Sequence, residues 1–157
     1  MILICHLVIG AIIASQTTSI FWIVFLAIVS HYILDTIPHI EYMSLPAEGI
    51  REANWLRLAF ETSKVLADAI IGVALIFTIW RITLSNPTNL ALGGFFGIFP
   101  DILTGLFFIF PNSKILKKHR AFHEKVHFLQ KKKYPLYFRI FTQVAVVLLG
   151  FIFLTQR

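Results

Sequence analysis

IFWIVFLAIVSHYILDTIPH, residues 20–39, is apolar without interruption up to Ser30 and then turns to histidine and aspartate before a proline. A helix that crosses a bilayer needs about 20 mostly apolar residues, and residues 19–37 supply that length before Pro38 ends it. His31 and Asp35 stand four apart and share a helix face, the spacing at which two side chains reach one ion. Ionisable groups this deep in an apolar helix cost about 2.5–3.5 kcal/mol each on insertion scales and normally persist because they bind or react with something. The stretch therefore reads as a membrane helix carrying part of a site.

The same pattern recurs along the chain. The only other aspartates lie in SKVLADAIIGVALIFTIW, residues 63–80, and LALGGFFGIFPDILTGLFFIF, residues 90–110, as Asp68 and Asp101. With 157 residues, 57% of them hydrophobic, the chain reads as one integral membrane domain, residues 1–157. The expected architecture is all-α, a polytopic membrane helix bundle with four or five spans. A short apolar segment at 2–14 crosses or dips, and spans follow at 19–37, 64–83, 90–110 and 134–154. Between them, residues 41–63 are wetter. Their second half has Trp55, Leu56, Ala59 and Phe60 on one face and Arg51, Glu52 and Glu61 mostly elsewhere, which suits an interfacial helix. Residues 113–133 form a basic amphipathic helix. The N-terminal MILICHLVIG lacks the positive flank of a cleavable signal peptide, and the single Cys5 excludes an internal disulfide.

Orientation follows from Lys and Arg. The net charge of +6 comes mostly from KILKKHRAFHEKVHFLQKKK, residues 114–133. If the first segment crosses, one side holds twelve of the fourteen Lys/Arg, counting Lys64 and Arg139 at the span edges. The positive-inside rule makes that side cytoplasmic, in a bacterial-type inner membrane, with anionic lipid as the partner of the basic helix. No nucleic-acid reading module accompanies the charge, so no nucleic-acid partner is expected. Under this topology His6, His31, Asp35, Asp68, Asp101, His119, His123 and His127 all fall toward the cytoplasmic face. Residues far apart in sequence share one layer, and that convergence says more than any single motif.

Each motif also has a plainer reading. His31 with Asp35 is a candidate ligand pair, or a hydrogen-bonded pair at a membrane interface. His39, beyond Pro38, folds back as a catalytic proton carrier or meets headgroups. Gly93, Gly97, Asp101 and Gly105 recur at four-residue steps, so close helix packing would aim Asp101 into the bundle. Asp68 is a ligand or the ion-pair partner of Lys64. His123-Glu124-Lys125-Val126-His127 matches H-E-x-x-H literally. With no third ligand signalled downstream, the pair reads better as ligands closing over the aspartates than as a protease centre. His6 is a satisfied polar residue or a further ligand by its depth.

Taken together, a short apolar helix with His6 and Gly10, the Ser30-to-His39 stretch, Pro100-Asp101 and the late His123/His127 pair resemble the small bacterial membrane-bound metal-dependent hydrolases of the YdjM type. The sequence departs from that pattern where Ile102 and Leu103 follow Asp101 in place of a second aspartate, and where His119-Arg120-Ala121-Phe122 precedes His123 with no threonine. The resemblance implies a membrane fold and metal-dependent hydrolysis. The expected metal set is His6, His31, Asp35, Asp68, Asp101, His123 and His127. The expected cofactor is a divalent metal, zinc first, with manganese or iron as alternatives. A phosphate ester or lipid headgroup at the cytoplasmic interface is the expected substrate. A proton or metal-ion carrier, or a scaffold, is the alternative from another class.

Overall fold

The computed structural model describes residues 1–40, 55–131 and 134–156, and among these the chain is all-helical. Its helices are α1 (Leu3–Ser15), α2 (Ile20–Asp35), α3 (Trp55–Thr83), α4 (Pro87–Ile109), α5 (Lys114–Val126) and α6 (Leu136–Thr155). A 3-10 turn, His127–Lys131, follows α5. Among the described residues, three segments are long and apolar enough to cross a membrane: Leu58–Thr83, Pro87–Ile109 and Leu136–Thr155. The 13-residue α1 and 16-residue α2 are shorter, about 20 and 24 Å at 1.5 Å per residue.

Local chemistry sets the boundaries. Asn86 opens α4 by accepting the Thr88 N–H at 2.8 Å, with Pro87 at the first helical position. Ser113 opens α5, its hydroxyl accepting the Leu116 N–H. Leu84, at φ 52°, turns the chain out of α3. The segment expected as a full span over 19–37 stops earlier, at Asp35, because Pro38 disfavours helical geometry in the residue before it. The interfacial helix expected before residue 64 is continuous with the span after it from Trp55 onward. Arg51 and Glu52 lie outside the described residues, as do Lys132 and Lys133 of the basic segment.

The bundle is apolar outside and polar within. Phe21, Phe25, Ile70, Phe77, Phe141, Leu148 and Phe153 are among the many large side chains exposed around its girth. His6, His31, Asp35 and His39 are each at most 1% exposed. That inversion suits a solvent of hydrocarbon, in which helices satisfy their own backbones and ionisable groups face inward.

The centre is α1, which touches α2, α3, α4 and α6. Small residues allow this. A Cβ at Gly10 would lie 2.2 Å from the Gly93 carbonyl oxygen, and one at Gly97 would lie 2.3 Å from the His6 oxygen. The α1 and α4 backbones are thus in contact, as the glycine spacing predicts. Gly105, expected on the same packing face, meets open space. Val8, Ala11, Ile12, Ile23, Ile79 and Leu90 fill the middle of the bundle. This packing carries His6 on α1 against the His31–Asp35 face of α2 and the Gly97–Asp101 face of α4.

Candidate metal centre

Asp35, the last residue of α2, is fully buried and collects five imidazoles, from α1, α2 itself, the corner after α2, α5 and the 3-10 turn. His123 Nε2 lies 2.9 Å from its Oδ2, His127 Nε2 3.0 Å and His31 Nε2 3.1 Å. His6 Nε2 lies 3.2 Å and His39 Nε2 3.9 Å from Oδ1. His31 and His123 also face each other, Nε2 to Nε2, at 3.0 Å. Asp101 Oδ1 completes the array at 3.8 Å from each of those two nitrogens.

The opposite ring edges fix what these nitrogens offer. His31 Nδ1 is 2.7 Å from the Gly97 carbonyl, a group that only accepts, so Nδ1 carries the proton. His39 Nδ1 likewise donates to the Ile37 carbonyl at 2.6 Å. The Thr104 hydroxyl gives its one proton to the Pro100 carbonyl, so at 3.1 Å it accepts from His123 Nδ1. In the neutral rings, Nε2 of His31, His39 and His123 is therefore a lone pair turned toward a carboxylate. Acceptors facing acceptors at 3 Å repel each other unless a proton or a metal ion lies between them.

The spacing fits an ion. At metal–ligand distances of about 2.1 Å, neighbouring donors stand roughly 3.4 Å apart in a tetrahedron and roughly 3.0 Å in an octahedron. The donors of His31, Asp35, Asp101 and His123 form one group that could hold a metal ion, and those of Asp35, His39 and His127 form another. Ring nitrogens that donate through Nδ1 and present Nε2 are also the usual second-sphere arrangement of metal-ligating histidine.

Surrounding contacts hold the frame. His6 stacks on His31, ring centroids 4.0 Å apart, and neither of its ring nitrogens makes a hydrogen bond. From α6, Arg139 Nε donates to the His39 carbonyl and Thr142 Oγ1 to the Pro38 carbonyl, pinning the corner after α2. The Met1 amino group contacts Asp35 Oδ1. Asp101, with a side chain 29% exposed, and His127, at 18%, are the open edges of a cluster whose other members are buried. On α5, His119 Nε2 meets the Tyr32 hydroxyl at 3.2 Å. Burial, with His123 and His31 nearby, holds this imidazole below its usual pKa.

Two sequence readings change. Asp68 joins neither ligand group; its Oδ2 accepts the Ile4 N–H at 3.2 Å and so caps the start of α1, which has no side-chain cap of its own. Lys64, its expected partner, bonds Glu61 at 2.9 Å. His39, read as a proton carrier, is buried within ligand range of Asp35 and His127, which sets it among the donors. In the H-E-x-x-H string, α5 ends at Val126 and His127 sits in the 3-10 turn, yet both Nε2 atoms reach Asp35 Oδ2, so the pair closes over that aspartate as the sequence reading expects. Glu124 is 62% exposed and bonded to Arg120, away from the cluster. Thr104, Gly97, Arg139 and Thr142 were not read as site residues. The one available signal was Thr104, a hydroxyl one turn beyond the helix-interior Pro100. No family model, no curated protein and no solved structure matches the chain.

Proposed function

We propose that this protein is a membrane-embedded, metal-dependent hydrolase that acts on a phosphate ester or lipid headgroup at the cytoplasmic face of the membrane. The observation that carries the reading is the tautomer-fixed set of imidazole lone pairs around the buried Asp35 carboxylate, most open toward Asp101. His31, Asp35, His123 and Asp101 hold the ion. Their mixed nitrogen and oxygen donors suit zinc, then manganese or iron, better than magnesium. A divalent ion there polarises a phosphoryl oxygen and lowers the pKa of water. Gly97 and Thr104 keep the rings of His31 and His123 in the ligating tautomer. The apolar girth keeps bulk water away, while Asp101 sits where water and headgroups enter.

The same reading gives the chain its place in the membrane. α3, α4 and α6 cross it, the shorter α1 runs inside the bundle as a fourth apolar segment, and α2, with Phe21 and Phe25 facing outward, packs at its side as a fifth. The basic face of α5 (Lys114, Lys117, Lys118 and Lys125) lies on anionic lipid of the inner leaflet. The resemblance to YdjM-type hydrolases points the same way.

A carrier of protons or metal ions would need polar groups along its whole path. Here the α1 and α4 backbones meet at Gly10 and Gly93, above a middle filled by Val8, Ala11, Ile23 and Leu90, so the hydrolase reading is favoured. The test is elemental analysis of protein purified in detergent, wild type against Asp35→Ala with Asp101→Ala, followed by phosphate release from anionic lipid vesicles. Bound metal that the double variant loses, with phosphate released only by wild type, is the expected outcome. Metal absent from wild type would remove both the hydrolase and the metal carrier.

A further inference from the structure

Asp35 belongs to both ligand groups, and nitrogen donors meet both of its carboxylate oxygens. His31 and His123 address Oδ2, while His39 and His6 address Oδ1. His127 sits between them, with Nε2 3.0 Å from Oδ2 and its ring 5.3 Å from that of His39. A carboxylate with different nitrogen donors at its two oxygens has the form of a bridging ligand. Two ions held by such a bridge stand about 3.5–4 Å apart, the separation at which a pair clamps the attacking and leaving oxygens of a phosphoryl group.

We propose that the centre is dinuclear. One ion is held by His31, His123, Asp101 and Asp35, a second by His39, His127 and Asp35, and the Asp35 carboxylate bridges them. This rests on the hydrolase reading and narrows its substrate to a phosphoryl compound. Three independent features support the second position. His39 is fully buried, its Nδ1 proton is given to the Ile37 carbonyl, and its backbone is pinned from α6 by Arg139 and Thr142. That is heavy support for a side chain whose only outlet is Nε2 facing Asp35 and His127. His6, 1% exposed and without a hydrogen bond at either ring nitrogen, aims Nε2 at the same oxygen and is the next donor available. The Met1 amino group also rests on Oδ1.

The test is metal stoichiometry and the Mn(II) electron paramagnetic resonance spectrum of the full chain in detergent, with no reliance on activity. Wild type is expected to bind two ions per chain and, loaded with Mn(II), to give the exchange-coupled spectrum of a pair. His39→Ala is expected to bind one ion and give the hyperfine pattern of an isolated Mn(II). One ion per chain in wild type, with an uncoupled spectrum and no change in His39→Ala, would overturn the second position and leave the single-ion hydrolase standing. No bound ion at all would overturn the reading beneath it as well. Should His39→Ala fail to fold, the wild-type spectrum alone decides between a pair and a single ion.

Discussion

Gly97→Ala separates the packing argument from the chemical one, because a single methyl group perturbs both. The new Cβ would stand 2.3 Å from the His6 carbonyl oxygen, whereas ordinary contact begins at 3.4 Å, a shortfall of about 1.1 Å. Backbone lies on both sides, so no side chain can turn aside, and α1 and α4 must part by most of that distance. Overpacking of this kind costs about 1–3 kcal/mol. The displacement also moves the Gly97 carbonyl off His31 Nδ1 and carries Asp101 with it. Metal sites tolerate errors of about 0.2 Å in ligand distance, so a shift of this size should abolish tight binding. Gly105→Ala is the matched control. It lies on the same helix and meets open space, so its packing cost is nil and its helix propensity is better. The assay is metal content after equilibration with a fixed Zn(II) buffer, together with the thermal midpoint in detergent. The expected result is loss of metal and a lowered midpoint for Gly97→Ala, and wild-type values for Gly105→Ala. Equal metal content in the two variants would refute the claim that the α1–α4 backbone contact positions the ligands.

Four shorter predictions follow from the same geometry. Thr104→Val removes the acceptor of His123 Nδ1 while keeping the shape, and should weaken metal binding about 10–100-fold in competition with a chromophoric chelator. Asp35→Asn keeps the volume but deletes the charge that five imidazoles address, so elemental analysis should find the metal gone. Asp68→Ala removes the cap on α1 and should cost about 0.5–2 kcal/mol in detergent unfolding while bound metal per folded chain stays at the wild-type level. For His119, the folded protein disfavours the protonated ring, so the unfolded state binds more protons and stability is lost as pH falls below the ordinary imidazole value of about 6.5. In chelator-treated protein, His119→Gln should therefore show a smaller drop in thermal midpoint between neutral and mildly acidic pH than wild type; an equal drop would mean that this ring does not carry the effect.

Much of the centre could be read from spacing because helical periodicity is a local property. His31 and Asp35 share a face by counting residues, and so do Gly93, Gly97 and Asp101; the structure keeps both relations. The role of α1 was harder to see. Thirteen apolar residues are ambiguous by length, and only packing shows that Gly10 and Ala14 let this helix run through the middle of the bundle. Its small residues, Cys5, Gly10, Ala11 and Ala14, were the available hint, since a helix facing lipid gains nothing from them. The hydrogen bonds that select the histidine tautomers were beyond reach. Two of the three acceptors are backbone carbonyls, at Gly97 and Ile37, and every residue has one.

Asp68 shows why shared depth alone misassigns a residue. At one level of a membrane bundle a carboxylate meets either N–H groups or lone pairs, and the sequence places both there. The start of α1 exposes backbone N–H groups with no side chain of its own to receive them, so a carboxylate delivered from α3 is consumed as a cap. Asp35 meets imidazoles whose ring protons are already committed to Gly97, Thr104 and Ile37. A capped helix end is balanced, donor against acceptor, and asks for nothing more. The Asp35 cluster gathers imidazole nitrogens and carboxylate oxygens in a buried setting, a donor set that could hold a metal ion.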